Sequence, residues 1–273
     1  MSVDVTPATR KAEAVPAVAV RPQPWLFVVL SIIIFTVVVI AFSPTLYLRT
    51  TLSRNDALLG NARIPTHLAV HGAILTVWFA LFVLQTWLVA ARNTRLHRRL
   101  GVLGVVTAAA VVSSGAYTVV RFVPRVIGAI HASGRTADQT EAALQQIAVP
   151  IIVGDLIALL VFALFVGAAI YWRRRPPIHK RLMLLASVMI LGPAFSTVRP
   201  VGRALAMIMP AELPWYAFAG LCIAALLWHD GATRGRVEPV TVWATAALIL
   251  AALLMEIVSV GASGAAIAHW LVS

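Results

Sequence analysis

Seven apolar runs dominate the chain, and each is long enough to cross a bilayer as a helix, which takes about 20 residues. They cover roughly residues 25–47, 64–90, 100–123, 147–172, 182–209, 213–229 and 240–263. Hydrocarbon offers no water to satisfy backbone N–H and C=O groups, so each run is expected to pair them internally as an α-helix. The expected fold is therefore all-α, a polytopic seven-helix transmembrane bundle spanning 25–273. Residues 1–24 are polar and carry Arg10, Lys11 and Arg21, and are expected to form a mobile cytoplasmic tail. The first run is too long for a signal-peptide core, and no small-x-small cleavage site follows it.

Composition agrees, with 60% hydrophobic and only 12% charged residues, against about a quarter charged in an ordinary soluble domain. The net charge of +12 would suggest nucleic acid in a soluble protein. Here the basic residues sit in short loops between apolar runs, where they set orientation, so the expected partner is the lipid bilayer and not nucleic acid. With the tail cytoplasmic, 14 Lys and Arg fall on the inner side and 5 on the outer. That bias places the N-terminus inside and the C-terminus outside. Arginine outnumbers lysine 20 to 2, a hint of a GC-rich bacterium and hence of a bacterial plasma membrane. The lone Cys222 allows no intrachain disulfide.

Two stretches share a layout 82 residues apart. His97-Arg98-Arg99-Leu100 matches His179-Lys180-Arg181-Leu182, Ser114 matches Ser196, and Arg121 matches Arg203. A duplicated hairpin, the second and third spans repeated as the fourth and fifth, would explain this, as would chance likeness between basic loops followed by Leu-rich helices. On a continuous fifth helix Ser196, Arg199 and Arg203 would share one face.

The second span carries His67 and His71 four residues apart, then Trp78 and Gln85 at seven-residue steps, which puts all four on one inward stripe. Paired imidazoles at this spacing can ligate a transition metal, and either alone can be an axial ligand of haem b. Given the topology, His67, His71, Tyr117, Arg121, Asp155, Arg199, Arg203 and Glu256 all lie in the outer half of the membrane, with His269 just beyond. Charges at that depth are costly and mark function by default. The competing reading is structural, with Asp155 and Glu256 neutralising arginines in buried ion pairs. Three arginines against two carboxylates leave a positive charge that would take a propionate, a carboxylate or a lipid head group. For a second axial ligand, His269 and His131 are the candidates. At the inner ends lie His97, His179 and His229, candidates for a second haem or simply basic loops against head groups. Gly192-Pro193 and Pro200-x-Gly202 could break the fifth helix, the pattern of a transporter. No spanning lysine suits a retinal Schiff base, GxGxxG, Walker, GxSxG and HExxH patterns are absent, and no catalytic residue is assigned.

The segments HxxxHG…W…LQ, LHRRLG and HKRLMLLA resemble a group of uncharacterised bacterial seven-helix membrane proteins. More distantly, a histidine-bearing helix followed by LHRRLG resembles small b-type membrane cytochromes and the membrane factors that assist cytochrome oxidase maturation. That resemblance implies haem or metal binding in a redox or respiratory-assembly role, beside respiratory-chain or haem-handling membrane proteins. The alternative is a small transporter or a lipid- or anion-binding membrane protein without a redox cofactor.

Overall fold

The computed structural model describes residues 25–48, 64–132, 134, 136–196, 199–211 and 213–272. The expected tail, 1–24, lies outside them. Among the described residues the protein is helical, with no strand. In chain order the helices are α1 (Trp25–Phe42), α2 (Thr66–Ala90), α3 (Thr94–Ala132), α4 (Ala137–Ala143), α5 (Val149–Tyr171), α6 (Pro176–Met189), α7 (Pro200–Leu205), α8 (Leu213–Arg234), α9 (Pro239–Ser259) and α10 (Gly261–Val272).

Their starts are legible in local chemistry. Proline opens α5, α6, α7 and α9 within the first two positions, where its missing N–H costs nothing. Asn93 accepts the Leu96 N–H at the head of α3 (3.2 Å), and Thr136 with Gln139 forms a capping box on α4. A π-helical turn, Leu144–Ala148, joins α4 to α5 without a break.

Among the described residues five segments are long and apolar enough to cross a membrane: Trp25–Tyr47, Thr66–Ala90, Thr94–Gly128, Asp138–Tyr171 and Pro239–Ser259. The stretch expected as a fifth continuous span is instead interrupted. α6 stops at Met189, a 3-10 turn covers Gly192–Phe195, and α7 restarts only at Pro200. Pro193 and Pro200 are the cause, since proline lacks an N–H and its ring clashes with the carbonyl four residues back. Eighty-two residues earlier stand Val111 and Thr118, and there α3 runs on unbroken. The break also undoes the expected shared face of Ser196, Arg199 and Arg203. Ser196 (ψ 141°) and Arg199 (φ −98°, ψ 152°) are in extended backbone between two helices. Gly202 lets α7 fold back on the turn, because a Cβ there would run into the carbonyl oxygens of Phe195 and Ser196.

The centre of the bundle is α6. Leu182, Leu184, Leu185, Ala186 and Val188 on it are each 0% exposed, and around them pack Ile34 of α1, Trp78 of α2, Phe162 of α5, Leu226 of α8 and Ala244 of α9. α3 is peripheral by contrast, with Val102, Val106 and Val120 exposed.

Candidate functional site

Two polar centres sit inside this apolar frame. The first is a cavity of about 80 Å³ between α2, α3, α5 and the far end of α6, lined by His71, Gly115, Thr118, Asp155 and Pro193 among apolar neighbours. Gly115 lets α3 and α5 approach there, since a Cβ would come within 2.8 Å of the Leu159 side chain. His71 is held by the Ser114 hydroxyl, 2.9 Å from Nδ1. In the tautomer in which Ser114 gives its hydrogen to the Val111 carbonyl (3.4 Å), it accepts from the His71 Nδ1–H and Nε2 keeps its lone pair. Thr118 Oγ1 is buried without a hydrogen-bond partner. A buried hydroxyl with no partner costs free energy, and here it borders a space with room for a few waters.

The donor set and the size of that space decide what fits. A porphyrin is far larger than the cavity, so haem b does not fit between the helices as packed. His71 and Asp155 are the metal-ligating residue types on the cavity wall. Among the described residues no group of three or more His, Cys, Asp or Glu could hold a metal. An ion at the cavity would therefore keep water in its remaining positions, as in open rather than closed sites.

The other expected residues are not at the cavity. His67 is half-buried and meets Tyr117 edge-on, with ring centroids 5.9 Å apart. Arg121 is exposed on α3, and Glu256 on α9. Arg199 turns to the end of α1, donating to Thr45 and lying 4.6 Å over the Phe42 ring, while Arg203 is exposed on α7. Among the described residues no ion pair joins Asp155 to an arginine. The competing reading, with Asp155 neutralising an arginine, therefore has no such pair among the described residues, and Arg199 lies instead at Thr45 and Phe42. His269 is on the surface, 3.7 Å from Glu141, and the His131 side chain lies outside the described residues.

The second centre, at the opposite end of α6, escaped the sequence reading. Arg181, counted above as a loop charge, is 0% exposed. Its Nη2 donates to Asp230 of α8, its Nε to Thr241 of α9 (3.1 Å), and its Nη1 to the Pro177 carbonyl (2.7 Å). Thr241 in turn donates to Asp230 (2.7 Å), which also accepts the Glu238 N–H (3.1 Å). Burial alone would raise the Asp230 carboxyl, but these bonds to Arg181, Thr241 and Glu238 hold it below its ordinary value. The signal that could have found this centre is the placement of Arg181. It lies one turn past Pro176-Pro177 and is followed by an unbroken apolar run, so it belongs inside the helix.

The α2 stripe links the two ends. Seven residues beyond His71, Trp78 is 2% exposed. It donates to Ser187 of α6 (3.3 Å) and stands edge-on to Phe162, with centroids 5.0 Å apart. Gln85 follows at the Arg181 end, beside His97. No protein-family model matches the chain, and no curated protein or solved structure matches it either.

Proposed function

We propose that the chain is an integral membrane protein that reversibly binds a transition-metal ion at His71 and Asp155. The observation that carries this reading is the cavity where α2, α3 and α5 bring an imidazole held through Nδ1, a carboxylate and an unpartnered Thr118 hydroxyl to one small space. Imidazole with carboxylate suits zinc, iron, cobalt or nickel better than a hard cation such as calcium. Two protein ligands make the ion exchangeable, which fits handing a metal on to a respiratory-chain or assembly partner.

The membrane setting belongs to the same proposal: seven crossings of a bacterial plasma membrane, the N-terminus cytoplasmic, with the interrupted α6–α7 and the polar-ended α8 as the fifth and sixth. A reporter fused to the C-terminus should read outside; an inside reading removes a crossing, α8 first. The His97 and His179 motifs support a duplicated hairpin whose second copy broke when Pro193 and Pro200 entered it.

Purified protein dialysed against Zn²⁺ or Co²⁺ should retain about one ion per chain. His71→Ala and Asp155→Asn should each weaken retention by at least about tenfold, the scale seen when a metal site loses a supporting group. Unchanged retention in both variants ends the reading. A Soret band after haem-supplemented expression, lost in His71→Ala, would return the site to haem. A second reading, a cation transporter, is favoured by Pro193, since an interrupted helix lines the cavity as it does in transporters. Uptake of the same ions into proteoliposomes separates the two.

A further inference from the structure

At the Arg181 end the two LHRR- and HKR-type motifs meet. His97, in the first turn of α3, and His179, in the first turn of α6, have ring centroids 6.3 Å apart at an interplanar angle of 83°. Their outward-facing partners fix which nitrogen of each ring carries the proton. His179 Nδ1 is 2.9 Å from the Ala169 carbonyl of α5; a carbonyl only accepts, so Nδ1 is protonated and Nε2 holds a lone pair. The Gln85 amide is satisfied in one orientation. Its nitrogen donates to His97 Nδ1 and to the His97 carbonyl (3.2 Å), and its oxygen accepts the Gly101 N–H (3.2 Å). His97 Nδ1 is therefore an acceptor, and Nε2 carries the hydrogen. The neutral pair offers one open donor and one open acceptor.

We propose that His97 and His179 form a site for a single exchangeable proton, placed on the α2 stripe opposite the His71 cavity. The proton adds to His179 Nε2, giving one imidazolium and breaking no hydrogen bond. A second proton would have to enter at His97 Nδ1, which requires Gln85 to turn its amide away and sets two like charges side by side. The charged groups around the pair strengthen this limit. Arg98 adjoins His97 on α3 and repels a second charge. Next to His179 on α6, Lys180 turns onto the Phe27 ring (4.4 Å) and Arg181 into the Asp230 network. From α2 and α5 come the uncharged Gln85 amide and Ala169 carbonyl, and among the described residues no ion pair joins a carboxylate to either ring. Gln85 is fourteen residues past His71, about 21 Å along α2, with the buried Trp78 between them. The proton site and the cavity are thus separate, and the proposal stands whether or not the cavity holds metal.

The test is nitrogen NMR of the full chain with ¹⁵N-labelled histidine in lipid nanodiscs, with His97→Gln and His179→Gln used to assign the two rings. The expected result is the Nε2–H form for His97, the Nδ1–H form for His179, and uptake of one proton by the pair on acidification. In Gln85→Leu the His97 ring should become free to take its own proton, raising the uptake to two. Uptake of two independent protons by the wild-type pair, or the opposite tautomer on either ring, overturns the proposal. Should a variant fail to fold, sequential ¹³C,¹⁵N assignment of the wild-type chain identifies the same two rings, and the test stands.

Discussion

The Arg181 centre and the His71 cavity each place ionisable side chains inside an apolar bundle, yet they differ in one physical respect. Around Arg181 the fork of the guanidinium, both Asp230 oxygens and the Thr241 hydroxyl are all hydrogen-bonded, and the centre is closed to solvent. Around His71 there is open volume, an imidazole whose protein hydrogen bond is made through Nδ1, and the partnerless Thr118. The Arg181 network ties α6, α8 and α9 together through its own bonds, and what it leaves unsatisfied is the neighbouring His229 ring, buried with no hydrogen bond to either nitrogen and Nδ1 3.6 Å from Asp230, with no open volume beside it. The cavity keeps valences open, at a cost in stability that a ligand would offset. Charge inside the bundle is thus not by itself the mark of a site; unsatisfied charge with space beside it is.

The sharpest way to break this comparison is to neutralise one carboxylate in each centre. Asp230→Asn strands Arg181 in low dielectric, and breaking one partner of a buried pair costs roughly 3–5 kcal/mol. Replacing both, Arg181→Met with Asp230→Leu, should recover most of that loss, because an apolar pair of similar volume needs no partners. Asp155→Asn breaks no ion pair seen here, so it should leave thermal stability close to wild type or raise it, while metal retention falls. Thermal unfolding in detergent reads all three. Equal losses in Asp230→Asn and Asp155→Asn would mean that the cavity is as much a structural lock as the Arg181 centre.

The next effect sharpens the role of the helix break that borders the cavity. Gly202→Ala would drive a Cβ into the Phe195 and Ser196 carbonyl oxygens, and overpacking of this kind costs about 1–3 kcal/mol. The strain should move α7 and Pro193, so metal retention should drop together with stability. Ala at Gly220, where nothing lies within 4 Å of the added carbon, is the control and should change neither.

How far these regions were legible in the sequence follows from the range of the forces involved. Helix class and the five long apolar segments rest on local hydropathy, and the α2 stripe rests on a seven-residue period, so both can be read along the chain. The hydrogen bond of His71 to Ser114, and the shared cavity of His71 and Asp155, depend on which helices neighbour α2, which no local pattern specifies. Arg199 was misplaced for a backbone reason. Treating 182–209 as one helix put it on a face with Ser196 and Arg203, while Pro193 and Pro200 send it toward Thr45 and Phe42. Arg181 was misplaced because basic residues before an apolar run usually stay at the surface, as Arg99 does at the matching position of α3. Only the distant Asp230 and Thr241 make the inside tolerable for Arg181.

The smallest expected effect tests how strongly the Arg181 centre acts on its neighbour. Lys180 lies outside the spanning segments, half-buried; burial, then the nearby Arg181 and Arg234, pull its ammonium down from 10.5 to about 8. Asp230 and Glu238 pull the other way, and the Phe27 ring 4.4 Å away also favours the charged form. Below pH 8 the lysine is charged in both folded and unfolded chains, and the fold carries the cost of holding it there. Between about 8 and 10.5 the folded chain has released this proton and the unfolded chain has not, so the unfolded state binds more protons and stability rises with pH. Above 10.5 that contribution is complete and level. Because the side chain is partly solvated, screening keeps the rise small. The thermal midpoint should climb slightly across this window in wild type, and Lys180→Met should flatten that part of the curve. In Arg181→Met with Asp230→Leu the climb should shrink, since the largest neighbouring positive charge is gone. A climb of the same size in that double variant would show that burial and Arg234, and not the Arg181 centre, hold Lys180 down.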